Sequence, residues 1–309
     1  MNKSQLSTYI MSFTKNQISG WIAVSISALF TNLWTYWGIT ENFHEGWYFE
    51  NTQENFRMML GQYLLVPLGF MLLAFVSILS TRAGAFLHLL LAVGALLLFG
   101  NLDAGLFFIV LPIVILCILY WYADIQMKRL ALFITVAIPF LQMILIGAYH
   151  YNNVSQRIDD KNFEIRSIQG NGVELLWAPK GPGWPDDGTS WEEAVQICQR
   201  LNADGKTLSD SAVNIWRLPT IEEAVKSSVY HGQNAGGSWD PVNKKATYTH
   251  RPDKESPLWN MHLKTIYWWT STEVNPDQAY IIVFNGSVWP RNKKLRVGYL
   301  NFRAVRREI

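Results

Sequence analysis

The stretch LALFITVAIPFLQMILIGAY, Leu130 to Tyr149, is followed at once by HYNNVSQRIDDKNFEIR, and this change of composition decides the fold. The first string contains no Lys, Arg, Asp or Glu, and its 20 residues match the length that a helix needs to cross a hydrocarbon core of about 30 Å. The second string is polar and charged. The chain therefore predicts a membrane part before this boundary and an aqueous part after it.

Four further apolar stretches precede this one, and none of them carries Lys, Arg, Asp or Glu. They cover Ile18 to Gly38, Tyr63 to Leu79, Ala83 to Phe99 and Leu106 to Tyr122. Each has the length of a membrane span, and Trp and Tyr residues lie at several of their ends, where headgroups favour amphipathic rings. We therefore predict an all-α membrane domain of five transmembrane helices in residues 1–155, with the lipid bilayer as its partner.

The charged residues are concentrated in the second half of the chain. Only six of the 26 basic residues and six of the 24 acidic residues precede residue 156. The net charge of +2 creates no global field that would favour nucleic acid, and no nucleic-acid motif is present, so nucleic acid is not predicted as a partner. Two distant cysteines, Cys117 and Cys198, exclude a disulfide framework and a thiolate metal cluster.

The short loops between the spans predict the orientation. If the spans alternate, one side carries a basic set and the other is mostly acidic, the basic set being Lys3, Lys15, Arg82, Lys128 and Arg129. The positive-inside rule then places the amino terminus in the cytoplasm. Because five is an odd number, residues 156–309 are expected outside the cytoplasm, in the periplasm or at the cell exterior.

The spans contain few groups that could carry chemistry. His88 and Gln142 are their main polar side chains, and we expect His88 to be a neutral imidazole bonded to a neighbouring helix. Pro67, Pro112 and Pro139 interrupt three spans without forming a repeat of the kind that transporters show. An anchor or sensor is favoured, and transport remains an alternative.

Residues 156–309 have the pattern of a tryptophan-rich α+β domain, with nine of the 14 Trp of the chain. Ser190 with Glu193, and Thr220 with Glu223, predict two capping boxes and two short helices. Cys198 falls on the apolar face of the first helix. Strands are predicted at Asn214 to Leu218, Tyr267 to Thr272, Ala279 to Phe284 and Tyr299 to Val305, with positive φ angles at a tight Asn285-Gly286 turn.

Six strings in this half resemble a known family. NGVELLW, TSWEEAVQICQRLN, WRLPTIEEA, YWWTSTE, AYIIVFNGSVW and NFRAVR are similar, in order and spacing, to the bacterial Lcl C-terminal domain family. The resemblance covers Ile165 to Arg307. It implies a C-type lectin-like fold, related to that of the formylglycine-generating enzyme, in which a scaffold presents loops for binding. The family is bacterial, so together with the predicted spans it implies a bacterial cytoplasmic (inner) membrane location.

In lectin-like folds, long loops above the sheet form the ligand face. Here the insert from His231 to Lys264 and the turn from Glu273 to Gln278 are the candidates, although the insert could equally have no function. We predict the following residues to bind the ligand, because they supply aromatic rings for stacking or groups for hydrogen bonding: Trp239, Asp240, Trp259, Asn260, Glu273, Asn275, Asp277, Trp289 and Arg291.

Glu273 with Asn275-Pro276-Asp277 resembles the carboxylate-Pro-amide calcium motif of sugar-binding C-type lectins. The order of the residues differs and the partner motif is absent from the following strand, so a plain turn is favoured and neither calcium nor another cofactor is predicted. The last 20 residues crowd basic side chains, which form either a solvated positive face or a site for an anionic partner: Arg291, Lys293, Lys294, Arg296, Arg303, Arg306 and Arg307.

The favoured hypothesis is a membrane-anchored lectin-like binding module. It would recognise an extracytoplasmic glycan, anionic polymer or protein for adhesion, envelope organisation or sensing, without catalytic residues. One alternative is an enzyme of the formylglycine-generating type, although Cys198 is the only thiol of the domain. The other is a channel or transporter with an extracytoplasmic gating domain.

Overall fold

The computed structural model describes residues 14–99, 106–179 and 187–307 and divides the chain into two compact units. The first unit comprises Met1–Gly46 and Gln53–Asn152. The second comprises Asn153–Ile309 together with the short segment Trp47–Thr52, which follows the first long helix. The sequence did not predict that this segment belongs with the second unit.

The described part of the first unit is helical. Its α-helices are α1 (Lys15–Glu45), α2 (Thr52–Met58), α3 (Leu65–Leu79), α4 (Thr81–Phe99), α5 (Leu111–Tyr122), α6 (Lys128–Leu132) and α7 (Ile138–Ser155). Three π-helical turns lie between α2 and α3, before α5, and between α6 and α7: Met59–Tyr63, Leu106–Val110 and Phe133–Ala137.

Three helical segments are long and apolar enough to cross a bilayer: Lys15–Glu45, Thr81–Leu98 and Lys128–Ser155. A fourth results if Thr52–Tyr63 and Leu65–Leu79, which are bent by 57° at their junction, form one broken span. Phe108–Tyr122 is a shorter apolar helix. Three or four candidate spans make this a multi-pass membrane protein, whereas the count of five stays a prediction.

The helix junctions that carry the basic residues of the predicted cytoplasmic side lie together at one end of this unit. The backbone N–H of Asp124 donates to the carbonyl of Asn16, at the start of α1, over 3.0 Å. Lys128 Nζ donates to the carbonyl of Leu79 over 2.9 Å, and the Arg82 guanidinium lies 4.5 Å from the ring centroid of Trp121. The start of α1, the α3–α4 junction and the α5–α6 junction therefore lie together; Lys3 falls outside the described residues.

The hydrogen bond of His88 differs from our expectation. Its Nδ1 lies 2.8 Å from the carbonyl oxygen of Gly84, one turn earlier in the same helix. The neighbouring helix contributes ring contact instead, since the Tyr120 ring lies 5.3 Å away and its hydroxyl bonds to Ser27 Oγ at 2.8 Å. The expectation of a bond to a neighbouring helix was wrong because the carbonyl one turn back is within closer reach.

The second unit is a mixed α/β region with a curled sheet. Its four-stranded sheet has the order β10-β7-β8-β9, formed by β7 (Tyr267–Asn275), β8 (Gln278–Val283), β9 (Val288–Asn292) and β10 (Leu300–Asn301). A three-stranded sheet has the order β1-β2-β11, from β1 (Arg166–Gly170), β2 (Val173–Trp177) and β11 (Val305–Arg307). Two small hairpins pair β3 (Val229–Tyr230) with β4 (Gln233–Asn234) and β5 (Ser238–Asp240) with β6 (Lys245–Thr247).

Both helices of this unit begin where the sequence predicts. In α8 (Trp191–Arg200), Ser190 Oγ accepts from the N–H of Glu193, whose carboxylate accepts from the N–H of Ser190. In α9 (Ile221–Ser227), Thr220 and Glu223 make the same reciprocal bonds. Each box satisfies two backbone donors that a helix start otherwise leaves without partners.

Neighbouring tryptophans of β7 supply two separate cores, because successive side chains of a strand point to opposite faces. Trp268 packs in a cluster with Trp177, Trp259 and residues of α9. Trp269 packs in a second cluster with Trp216 and residues of α8, Cys198 among them. The four-stranded sheet therefore has a hydrophobic core on each face.

Two strand predictions and one turn prediction need correction. Residues Asn214 to Leu218 form no regular strand: Asn214 has φ +52°, and Arg217 makes an isolated bridge to Val305. The predicted strand Tyr299 to Val305 is divided into β10, parallel to β7, and β11, which pairs with β2. At the Asn285-Gly286 turn, Gly286 alone has a positive φ, of +81°.

We predict that Gly84→Ala destabilises the membrane unit. A Cβ at Gly84 would lie 2.4 Å from Ser77 Cα, so backbone must shift, at a cost of about 1–3 kcal/mol or more. Thermal unfolding of the detergent-solubilised protein measures this. Gly94→Ala, in the same helix with nothing within 4 Å, is the matched control and should be neutral or slightly stabilising. Equal stability of the two variants would contradict the close approach.

Candidate functional site

A small cleft in the second unit is the strongest candidate for a functional site, and we call it the Arg303 cleft. Its volume is about 50 Å³, which is space for a few water molecules or one small polar group. It is lined by polar, charged and aromatic residues from β1, β7, the segment before β1, the insert and the chain between β10 and β11: Asp159, Asn162, Phe163, Arg166, Pro179, Ser256, Pro257, Leu258, Trp259, Asn260, Leu263, Trp268 and Arg303.

Backbone carbonyls hold Arg303 in place. Its Nε donates to Ala178 O over 2.7 Å, and its Nη1 donates to Pro257 O over 3.1 Å and to Leu258 O. Its guanidinium carbon lies 5.9 Å from the ring centroid of Trp177 and 5.8 Å from that of Trp268. These contacts use three of the five N–H groups of the guanidinium.

Arg303 forms no ion pair with any described carboxylate. Burial lowers the pKa of Arg303 to about 9; the positive charge of Arg166 adds to this effect, whereas Asp160 opposes it. A buried cation without a counter-ion is disfavoured in a medium of low polarity, since the lost hydration is not replaced. The cleft therefore contains a positive charge that an anion would stabilise.

The second arginine of the cleft is already paired. Arg166 Nη1 and Nη2 donate to the two carboxylate oxygens of Asp160 over 2.6 and 2.7 Å, and Nη2 also bonds to the carbonyl of Asn162. The bonds from Arg166 hold the pKa of Asp160 well below its usual range. The Nε of Arg166 is buried and has no hydrogen-bond partner among the described residues.

One carboxylate and two amides complete the polar lining. Asp159 Oδ2 lies 3.2 Å from His262 Nε2. Asn260 Oδ1 accepts from the N–H of His262 over 2.8 Å, and Asn162 Oδ1 accepts from the N–H of Glu164 over 3.0 Å. The amide NH₂ groups of both asparagines donate to no described residue, and both residues line the cleft.

The aromatic residues of the cleft have two different roles. Trp259 stacks on Trp268 with centroids 3.6 Å apart and an interplanar angle of 11°, and both are 4% exposed. They form a closed wall with no free ring face. Phe163, by contrast, is 53% exposed, so its ring is open to an approaching molecule.

The predicted ligand-binding residues lie in three separate places. Trp259 and Asn260 belong to the Arg303 cleft. Trp239 is half-buried in β5, where its ring meets that of Tyr280 at 5.4 Å, edge to face. Asp240 accepts from the N–H groups of Val242 and Asn243 and closes the β5–β6 hairpin; bonds from Asn243 lower its pKa.

The third group lies at the β7–β8 turn and the edge strand β9. Glu273 Oε2 pairs with Lys293 Nζ at 2.6 Å. Asn275 Oδ1 accepts from the N–H of Asp277, as expected for a plain turn. On β9, Trp289 is 51% exposed and is followed two residues later by Arg291, whose side chain lies on the same face. Within the described ranges, no three His, Cys, Asp or Glu side chains converge as a metal site.

The basic residues near the end of the chain do not form one solvated face. Lys293 pairs with Glu273 and lies 4.5 Å from the centroid of the Trp191 ring. Arg296 pairs with Asp187 and Glu193, and the Arg306 guanidinium lies 4.7 Å from the Trp216 ring. Lys293, Arg296 and Arg306 therefore each contact different carboxylates or aromatic rings from distant parts of the chain.

Sequence reasoning missed Arg303, Arg166, Asp159 and Phe163 as members of one cleft. The signal for Arg303 was its position in NFRAVR, where the flanking Phe302 and Ala304 are both apolar and are buried in the structure. A cation between two core positions indicates an anchored charge rather than a solvated one. Of the nine Trp residues counted in this half of the chain, Trp184 lies outside the described residues.

Comparison with known proteins identifies no relative. No protein-family model, no curated protein and no solved structure matches this chain. The resemblance of six strings to the Lcl C-terminal domain family therefore stays a prediction.

Proposed function

We propose that this protein is a membrane-anchored lectin-like binding module that recognises an extracytoplasmic ligand, namely an envelope glycan, an anionic polymer or a protein. Five transmembrane helices would anchor it in a bacterial cytoplasmic membrane, with the amino terminus inside. The second unit would then serve adhesion, envelope organisation or sensing from the outer side.

The observation that carries this proposal is the composition of the Arg303 cleft. An open aromatic ring, Phe163, lies next to amide and guanidinium donors that are held by backbone contacts. Binding sites typically combine apolar or aromatic walls with a few convergent polar groups that fix orientation. Loops and strand ends of a rigid unit hold these groups, as recognition requires.

The segment Trp47–Thr52 supports an odd number of crossings, with which the proposed five agree. His262 Nδ1 lies 3.3 Å from the carbonyl oxygen of Tyr48, and Lys254 Nζ lies 5.8 Å from the Tyr48 ring centroid. A segment that packs within the second unit lies on the same side of the bilayer as Asn153–Ile309. An even number of crossings must therefore separate Thr52 from Asn153. Thr81–Leu98 and Lys128–Ser155 give two, and four result if the bent pair Thr52–Tyr63 with Leu65–Leu79 and the shorter helix Phe108–Tyr122 also cross.

The state of Cys198 weighs against the oxidase alternative. The thiol is 1% exposed, and burial raises its pKa far above the usual range. Thiol chemistry needs an accessible thiolate, which burial in an apolar core suppresses. Cys198 therefore acts as a small core residue of the second cluster.

The binding proposal predicts that Phe163→Ala weakens binding to envelope polymers about fivefold or more. Truncating an open aromatic contact removes roughly 1 kcal/mol or more of binding free energy. Binding of the full-length protein in nanodiscs to immobilised cell-wall glycans and anionic polymers measures the effect. Val242→Ala, which truncates another exposed apolar side chain, is the matched control.

Two outcomes would contradict this proposal. Wild-type protein that binds no glycan, polymer or envelope protein would remove the binding module. Loss of binding in Trp289→Ala, with full binding in Phe163→Ala, would move the site from the cleft to the edge strand β9.

The topology predicts a labelling pattern for single introduced cysteines. Val242→Cys and Glu50→Cys, both at exposed positions, should react with a membrane-impermeant maleimide in intact spheroplasts. Gln126→Cys, at the basic end of the helices, should react only after permeabilisation. Parallel labelling of the unsubstituted chain controls for Cys117 and Cys198. Labelling of Glu50→Cys and Val242→Cys from opposite sides would exclude five crossings.

A further inference from the structure

We propose that the Arg303 cleft is a carboxylate site and that its ligand is a uronate, a sugar whose ring carries a carboxylate. The inference rests on the proposed function and narrows its ligand class. The observations behind it are the hydrogen-bond balance of the cleft, its charge, its size and the open ring at its rim.

Guanidinium N–H groups of the cleft residues lack acceptors. Arg303 Nη2 carries two N–H groups and donates to no described residue, while Nε and Nη1 are held by carbonyls. Arg166 Nε also has no partner among the described residues, but it is buried, so Arg303 Nη2 is the donor on which the assignment rests. An ionised carboxylate is a pure acceptor with about four lone-pair sites, and it forms stronger hydrogen bonds with guanidinium than a neutral oxygen does.

The charge of the cleft favours a single negative charge on the ligand. Asp160 neutralises Arg166 through two short bonds, so Arg303 is the arginine of the cleft that lacks a carboxylate partner. Asp159, on the other hand, adds a negative charge to the lining. Attraction to Arg303 and repulsion by Asp159 both double from a monoanion to a phosphate dianion, but the cost of removing the ligand charge from water rises with the square of that charge. A monoanion is therefore favoured in this cleft.

The size of the cleft limits which part of the ligand can enter it. About 50 Å³ holds a carboxylate group but not a sugar ring. The ring must therefore remain at the rim, where Phe163 is 53% exposed; Asn260 is another lining residue of the cleft. An apolar face with hydroxyl groups along its edge, as a pyranose has, fits a phenyl ring beside an amide.

Binding of sodium glucuronate to the full-length protein in nanodiscs tests this assignment, with glucose, sodium acetate and glycerol phosphate as matched probes. Ligand-observed NMR gives the dissociation constants. We expect glucuronate to bind at least tenfold more tightly than glucose, which lacks the charge, and than acetate, which lacks the ring. Glycerol phosphate should also bind more weakly than glucuronate, because a dianion loses more hydration free energy on entering the cleft.

Three variants locate the site. Arg303→Gln should raise the dissociation constant of glucuronate about 10-fold to 100-fold, since hydrogen bonds to the charged group are lost. Arg251→Gln, which removes an exposed arginine, is the control and should leave it unchanged. Asp159→Asn keeps an acceptor for His262 but removes a negative charge, so glucuronate should bind about threefold more tightly while glucose binding does not change.

If Arg303→Gln does not fold, the Asp159→Asn variant still tests the proposal, because an Asn side chain has nearly the same size and shape as the Asp side chain that it replaces. Equal affinity for glucuronate and glucose, tighter binding of glycerol phosphate, or an unchanged affinity in Asp159→Asn would each overturn the carboxylate site. The binding module would survive those results if envelope polymers still bind. Conversely, glucuronate binding in the cleft together with cytoplasmic labelling of Val242→Cys would retain the carboxylate site and reject the proposed function.

Discussion

Strand β7 is the element on which the second unit depends, because two neighbouring tryptophans place one large ring in each of two cores. Trp268 contacts Trp177 and Trp259 on one face, and Trp269 is fully buried on the other. Large aromatic side chains contribute the most burial per residue, so truncating either ring would cost about 3–5 kcal/mol. The cleft inherits its geometry from this strand, since Trp268 is at once part of the core and part of the wall beside Arg303.

Charged side chains have different partners at the surface and in the interior of this unit. Arg217 with Glu223 and Lys226 with Glu222 are partly exposed pairs, which contribute little to stability because water screens them. Arg303 is instead satisfied by carbonyls and aromatic rings, which supply hydrogen bonds but no opposite charge. The Arg303 guanidinium is thus held in place by hydrogen bonds but has no carboxylate counter-ion among the described residues, as the proposed anion site requires.

The membrane unit obeys a simpler constraint. Backbone polar groups in hydrocarbon must be bonded within the chain, and helices achieve this without partners. Close approach then depends on small residues, as at Gly84, where no side chain separates the backbone from Ser77. The short segment Trp47–Thr52 follows the first long helix in the sequence but belongs to the second unit, because Tyr48 contacts Lys254 and His262 there.

The sequence by itself determined the division into apolar helices and a tryptophan-rich α+β region, both helix starts of that region, and the core position of Cys198. These features follow from local composition, from 3.6-residue periodicity and from caps that lie three residues apart. It did not reveal that the strand predicted over Tyr299 to Val305 is shared between two sheets, or that Trp259 belongs to the core. Tertiary structure alone brought Arg303 to the same cleft as Asp159 and Arg166, because Arg303 lies more than a hundred residues later in the chain and is held there by carbonyls that it contacts only after folding.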